Sequence, residues 1–123
     1  MAERTAQLNK DTQALCTTPV LWNTSDTWSS ANKSYYYRQG NLVVVSIRTS
    51  RCTPNTDTQL LELPIGYRPT KDEGFFGINN AGRFLISEIT IFTNGKVMTY
   101  SGGAYCTCNC VYYTADTFPY SDL

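Results

Sequence analysis

The stretch RFLISEITIFTNGKVMTY, residues 83–100, limits the fold more than any other part of the chain. Phe84, Ile86, Glu88, Thr90 and Phe92 alternate with Leu85, Ser87, Ile89 and Ile91. A period of two sends neighbouring side chains to opposite faces of a strand. Asn94-Gly95 follows, the strongest short-range hairpin signal, because both central positions of a type I′ turn need positive φ. Residues 96–100, KVMTY, are the returning strand. Antiparallel sheet is therefore the expected framework.

The rest of the chain repeats this grammar. YYYRQGNLVVVSIRT, residues 35–49, holds a Gly40-Asn41 turn signal and then a β-branched run. Val43, Val45 and Ile47 share one face, with Leu42 and Val44 on the other, which predicts a strand covered on both sides. TQLLEL, residues 58–63, and GFFGI, residues 74–78, are further strands, with a turn at Asn79-Asn80-Ala81-Gly82. Gly102-Gly103 breaks the chain before a last strand at 104–114. Short strands at this spacing predict an all-β, antiparallel sandwich or small barrel. Residues 2–15 are polar, with loosely spaced alanines and leucines, as in a short helix or an arm, and Pro19 ends any helix. The expected division is an N-terminal arm or attachment segment, 1–34, and a head domain, 35–123.

The 123 residues suit one domain. Ten basic and ten acidic residues cancel, and neither sign forms a run, which argues against nucleic acid or an anionic membrane as a partner. No apolar run reaches the roughly 18 residues of a membrane span, and the first residues lack the apolar core of a signal peptide. The expectation is a chain made in the cytoplasm, where thiols stay reduced. Two strands apolar on both faces exceed what so small a sandwich can bury. Self-association is expected to cover the surplus.

CTCNC, residues 106–110, places three cysteines on one face of a strand in a chain without histidine. Neighbours in such a row stand about 6.6 Å apart with parallel Cβ vectors, poor geometry for a disulfide. Zinc usually draws ligands from C-x₂₋₄-C knuckles on turns, and here Cys16 or Cys52 would have to complete a set of four. Three readings stay open: small packing residues near a close-approaching backbone, a metal or thiol cluster across an oligomer axis, and a bridge to Cys16 or Cys52. The packing reading, without metal or other cofactor, is the expected one.

Absent histidine, Ser-His-Asp and Cys-His catalysis is unavailable. Two carboxylates would suffice for a glycosidase, and Glu62 and Glu88 are the candidates on expected strands. Each also reads as a solvent-facing or strand-edge acid, or one paired with Arg48 or Arg83. No phosphate-binding glycine loop, nucleophile elbow or calcium loop is present, so an enzyme is not expected. Nine of the sixteen aromatic residues are tyrosine, a residue of binding surfaces and of β-proteins alike.

The turn LPIGYRPTKD, residues 63–72, has Pro64 and Pro69 preset for turns and Gly66 for an unusual φ. Tyr67 is expected to pack across its base while the Arg68 guanidinium reaches backbone carbonyls. This stretch resembles the "LPxGYRP" turn of C-terminal receptor-binding domains in phage and prophage tail-fibre and baseplate proteins. Tyr37-Arg38-Gln39-Gly40-Asn41-Leu42-Val43 is similar to that family's "YRKxGNxV" strand start, and Ile86 through Val97 to its "xIxIxTNGxV" hairpin. Phe75-Phe76 stands where such domains carry an aromatic strand, and Phe118-Pro119 resembles their closing segment. The resemblance spans about residues 35–119. The triple-cysteine strand and the first 34 residues, with Trp22 and Trp28, lie outside it. What it implies is a virion structural module, made in the bacterial host, with a homotrimeric β-sandwich or jelly-roll-like head. Such a head binds a host cell-surface saccharide and contacts other virion proteins. A purely structural decoration or assembly role and a glycan depolymerase are the alternatives. As saccharide contacts the loop residues Trp28, Tyr36, Tyr67, Asn79 and Asn80 are expected.

Overall fold

A computed structural model describes residues 15–22, 34–79 and 86–123. These residues form an all-β, antiparallel structure. Its strands are β1 (Val20–Leu21), β2 (Tyr35–Gln39), β3 (Leu42–Thr49), β4 (Asp57–Glu62), β5 (Glu73–Ile78), β6 (Ile86–Ile91), β7 (Lys96–Tyr100) and β8 (Cys106–Tyr113). One 3-10 turn, Tyr120–Asp122, follows. The strands make one eight-stranded sheet in the order β1-β2-β3-β8-β5-β6-β7-β4. β5 and β8 pair in register at one position, Ile78 opposite Thr107, and there the sheet curls. Among the described residues no helix is long and apolar enough to cross a membrane.

Curling gives both halves of the sheet one core. β3 supplies Val43, Val45 and Ile47, β8 the three cysteines, β6 Ile89 and Ile91, and β7 Val97. Leu63 and Tyr67 enter from the turn after β4. Ser87 and Thr99, polar but small, sit in the same interior, where Ser87 Oγ donates to Ser101 Oγ at 3.0 Å.

Both hairpins form where turn residues mark them, with different backbones. At Gly40-Asn41 only the glycine has positive φ, +57°, the pattern of a II′ turn. At 92–96 the amide of Gly95 donates to Phe92 O at 2.9 Å, and that of Phe92 to Lys96 O. Asn94 keeps a negative φ and only Gly95, at +90°, is left-handed. This is a type I turn closed by a glycine bulge, not the expected I′ turn. The cause is an extra residue in the loop. It seats Gly95 against the Leu63 carbonyl, where a Cβ would also lie 2.8 Å from Arg68 Nε.

The two strands expected to be covered on both faces diverge. On β3 the second face is Leu42, exposed at the strand's start, then Val44, half-buried, Ser46, buried, and Arg48, half-buried. On β6 the second face stays open: Ile86 is 67% exposed and Glu88 is exposed. Residues 15–22 belong to the sheet, since β1 pairs with β2 and Cys16 bridges to Gln39. The sheet thus begins ahead of the expected boundary at residue 34. Of the short helix or arm expected at 2–15, residues 2–14 lie outside the described residues.

Candidate functional site

Two regions concentrate side-chain chemistry. The first is a buried knot around Arg38, which is 1% exposed. Its guanidinium donates to Gly40 O at 2.7 Å, Gly66 O at 2.8 Å, Asp116 O at 2.9 Å and Asn41 Oδ1 at 3.2 Å. It also lies 5.1 Å from the centre of the Phe118 ring. Burial works against the charge of Arg38, while Asp116 works for it. One oxygen of Asp116, Oδ2, accepts from the amides of Gly66 and Arg68. The Arg68 side chain donates to Leu63 O at 2.9 Å, so the turn is tied at both ends as its sequence suggested. Gly66 has φ of +112° and packs on Pro119, which leaves little room for a Cβ. Five fixed donors on one planar fork suit such a collection of carbonyls.

Tyr67 belongs to this knot. It is fully buried, donates to Asp122 Oδ2 at 2.8 Å, and receives the Tyr112 hydroxyl on its carbonyl at 2.6 Å. Burial, assisted by Asp122, pushes the Tyr67 phenol up to about 12. Tyr36 packs edge-on against it, with ring centres 4.9 Å apart. Asn79 is buried against Gly103, where a Cβ would lie 2.5 Å from the amide nitrogen. So of the expected saccharide contacts, Tyr67 and Asn79 present no surface to solvent, and Tyr36 is half-buried against the core. The physical reason is that the 63–72 turn folds under itself. Ile65 at its tip is exposed, and the ring at its base becomes core. Trp28 and Asn80 lie outside the described residues.

The thiol row also turns inward. Cys106, Cys108 and Cys110 are buried inside a single chain, and all five cysteines are free. The close-approaching backbone is β5 of the same chain: a Cβ on Gly77 would lie 2.6 Å from Thr107 O and 2.9 Å from Cys108 Cβ. An oligomer axis through the row is thereby ruled out, since its side chains are already enclosed. The sulfurs of Cys108 and Cys110 lean together to 3.7 Å. Hydrogen bonding from Cys52, with Thr99 and Ser87 helping, holds the Cys106 thiol down to about 7, while its bond to Cys108 pushes Cys110 up. Among the described residues no three His, Cys, Asp or Glu side chains gather to hold a metal ion.

The second region is the outer face of β5, β6, β7 and β4. Here the register sets out side chains in rows. Phe76 stands opposite Glu88, Glu88 opposite Tyr100, and Tyr100 opposite Asp57. The next row runs Gly74, Thr90, Met98 and Gln59. Nothing lies within 4 Å of where a Cβ on Gly74 would be, so this row has a low end. A cleft of about 620 Å³ opens over β6, β7 and β4, with Tyr100, Met98 and Phe92 as its apolar parts and Asp57, Gln59 and Thr90 among its polar ones. Beside it, Phe76 (80% exposed), Ile78 (58%) and Ile86 form an apolar patch, with Ile78 and Ile86 directly paired.

Of the two candidate catalytic acids, only Glu88 lines the cleft. Glu62 pairs with Lys96, and Glu88 with Tyr100, four residues further along β7. That separates them by roughly 13 Å along the strand direction, beyond the spacing at which two carboxylates flank one glycosidic bond. Tyr100, Asp57, Gln59 and Met98 were not singled out from sequence. The hairpin signal at Asn94-Gly95 did place Tyr100 near Glu88, whereas the β4–β7 pairing carries no local signature.

No model of a known protein family matches the chain, and no curated protein matches it.

Proposed function

We propose that the chain is a non-enzymatic head module of a bacterial-virus tail fibre or baseplate, and that it binds a host cell-surface saccharide. The observation that carries this reading is the open cleft on β6, β7 and β4. It combines an exposed aromatic ring, Tyr100, with uncommitted carboxylate, amide and hydroxyl groups on a stiff sheet. Sugars are held by this combination: an apolar ring face packs on the aromatic, and directional polar groups fix the hydroxyls. The sequence resemblance points the same way, and its motif residues, Arg38, Gly66, Tyr67 and Arg68, are those that brace the sheet.

We further read the curled sheet as a β-sandwich head that works as a homotrimer. The patch of Phe76, Ile78 and Ile86 is the surface a second copy would cover, and it borders the cleft. Three weak sugar sites in one assembly gain avidity. Light scattering at micromolar concentration should return three times the chain mass, and Phe76→Ser with Ile86→Ser should return one. A monomeric unmodified chain would remove the trimer.

The same patch also favours a second reading, a structural part of the virion that joins other virion proteins through this face and touches no receptor. Adsorption of the purified chain to host cells separates the two. Tyr100→Ala should abolish adsorption while the melting temperature holds. Adsorption that survives this change would overturn the cleft as the receptor site.

A further inference from the structure

The row that enters the cleft from its apolar border alternates aromatic ring and acid: Phe76 beside it, then Glu88, Tyr100 and Asp57 within it. The two carboxylates stand on either side of Tyr100, each one strand spacing away, and so roughly 10 Å from each other. Both are exposed, and neither side chain makes a hydrogen bond or ion pair with another described residue. Among the described residues the cleft holds one cation, Lys96, at its other end, four residues and a backbone spacing of roughly 13 Å from Tyr100 along β7. Two carboxylates thus stand against one ammonium, and the end of the cleft around the open Tyr100 ring is the acidic one.

We infer that the glycan held by this face carries protonated amines, as a run of unacetylated hexosamines does, with ring faces on Tyr100 and ammonium groups at Asp57 and Glu88. A neutral saccharide would offer the two carboxylates hydroxyl donors only, whereas an ammonium forms the stronger charge-assisted hydrogen bond with each. An ammonium beside a tyrosine ring gains a cation–π attraction as well. The separation of the two acids exceeds the reach of one pyranose ring, so they meet amines on different sugars of one chain. This inference rests on the saccharide-binding reading above and narrows it to a chemical class.

Calorimetric titration of the whole chain with a glucosamine oligomer, and with the N-acetylglucosamine oligomer of the same length, tests it. The amine form should bind about tenfold tighter or more, the range expected for one charge-assisted hydrogen bond. Glu88→Gln and Asp57→Asn should each weaken that binding about tenfold and weaken the acetylated oligomer much less, since only a hydroxyl contact is lost there. Tyr100→Ala should weaken both. Equal or tighter binding of the acetylated form would overturn the inference. So would an oligolysine of matched charge that binds as tightly whether or not Tyr100 is present. Host-cell adsorption distinguishes the two levels. If the Glu88→Gln, Asp57→Asn double variant still adsorbs, the amine inference fails and the receptor reading stands. Absence of adsorption by the unmodified chain brings down the receptor reading itself.

Discussion

The Arg38 knot and the outer face of β5–β6–β7–β4 use the same kinds of residue to opposite ends. In the knot, guanidinium, carboxylate and phenol are enclosed and matched: Arg38 to four acceptors at 3.2 Å or less, Asp116 to two amides, Tyr67 to Asp122. On the outer face, Glu88, Asp57 and Tyr100 are exposed and unmatched. Buried polar groups persist only when satisfied, whereas exposed ones remain free to take a ligand. The distinctive motif thus marks structure. On the outer face the hairpin motif supplies Glu88, whereas Asp57, Gln59, Met98 and Tyr100 belong to no motif.

If this contrast is right, substitutions in the knot should cost stability and those on the face should cost binding. The largest loss is expected for Arg38→Met, on the order of 3–5 kcal/mol in urea unfolding, because several buried carbonyls lose their donor together. A value below about 1 kcal/mol would mean the knot contributes little. Next comes the glycine pair of β5. Gly77→Ala should cost about 1–3 kcal/mol, since its Cβ must displace the β8 backbone. Gly74→Ala, with open space above it, should be neutral or stabilising by up to about 1 kcal/mol. Equal effects at the two positions would contradict the assignment of inner and outer faces.

A smaller effect is expected from Tyr67→Phe, about 0.5–1.5 kcal/mol for one hydrogen bond. It should also change the alkaline limb of stability. The folded phenol titrates near 12, above the value of about 10 expected in the unfolded chain. The unfolded state therefore releases its proton first, so stability is full below about pH 10 and falls as pH rises toward 12. Tyr112, raised in the same direction by burial, adds to that fall. Unfolding curves from pH 9 to 12 should be flatter for Tyr67→Phe than for the unmodified chain. The smallest change is predicted for Tyr100→Ala: stability within about 0.5 kcal/mol of the parent, with glycan binding lost.

Most of the strands were legible because two signals coincide in them, alternation of apolar side chains and turn residues at their ends. Lys96–Tyr100 and the Gly40-Asn41 hairpin fall where the pattern puts them. The order of the strands was not legible. β8 inserts between β3 and β5, and β4 reaches the far edge beside β7, through contacts distant in sequence. That pairing builds the row from Phe76 to Asp57, so the cleft was invisible for the same reason. Loop position did not reveal the burial of Tyr67 and Asn79: the 63–72 turn is tied down by Arg38, Asp116 and Arg68, and Asn79 packs against Gly103. The thiol row was correctly taken as slender side chains beneath a close backbone, but that backbone belongs to the same chain, at Gly77.

The outer face can be interrogated through one atom group. The chain has two methionines, Met1 and Met98, and Met98 lines the cleft beside Tyr100. With ¹³C-methyl methionine, a titration with neutral, N-acetylated and amine-bearing oligosaccharides gives two signals to follow. Saturable movement of the Met98 methyl, strongest with the amine-bearing chain and absent in Tyr100→Ala, is the predicted result. A glycan that binds the chain while the Met98 signal stays in place would contradict the outer face as the recognition surface.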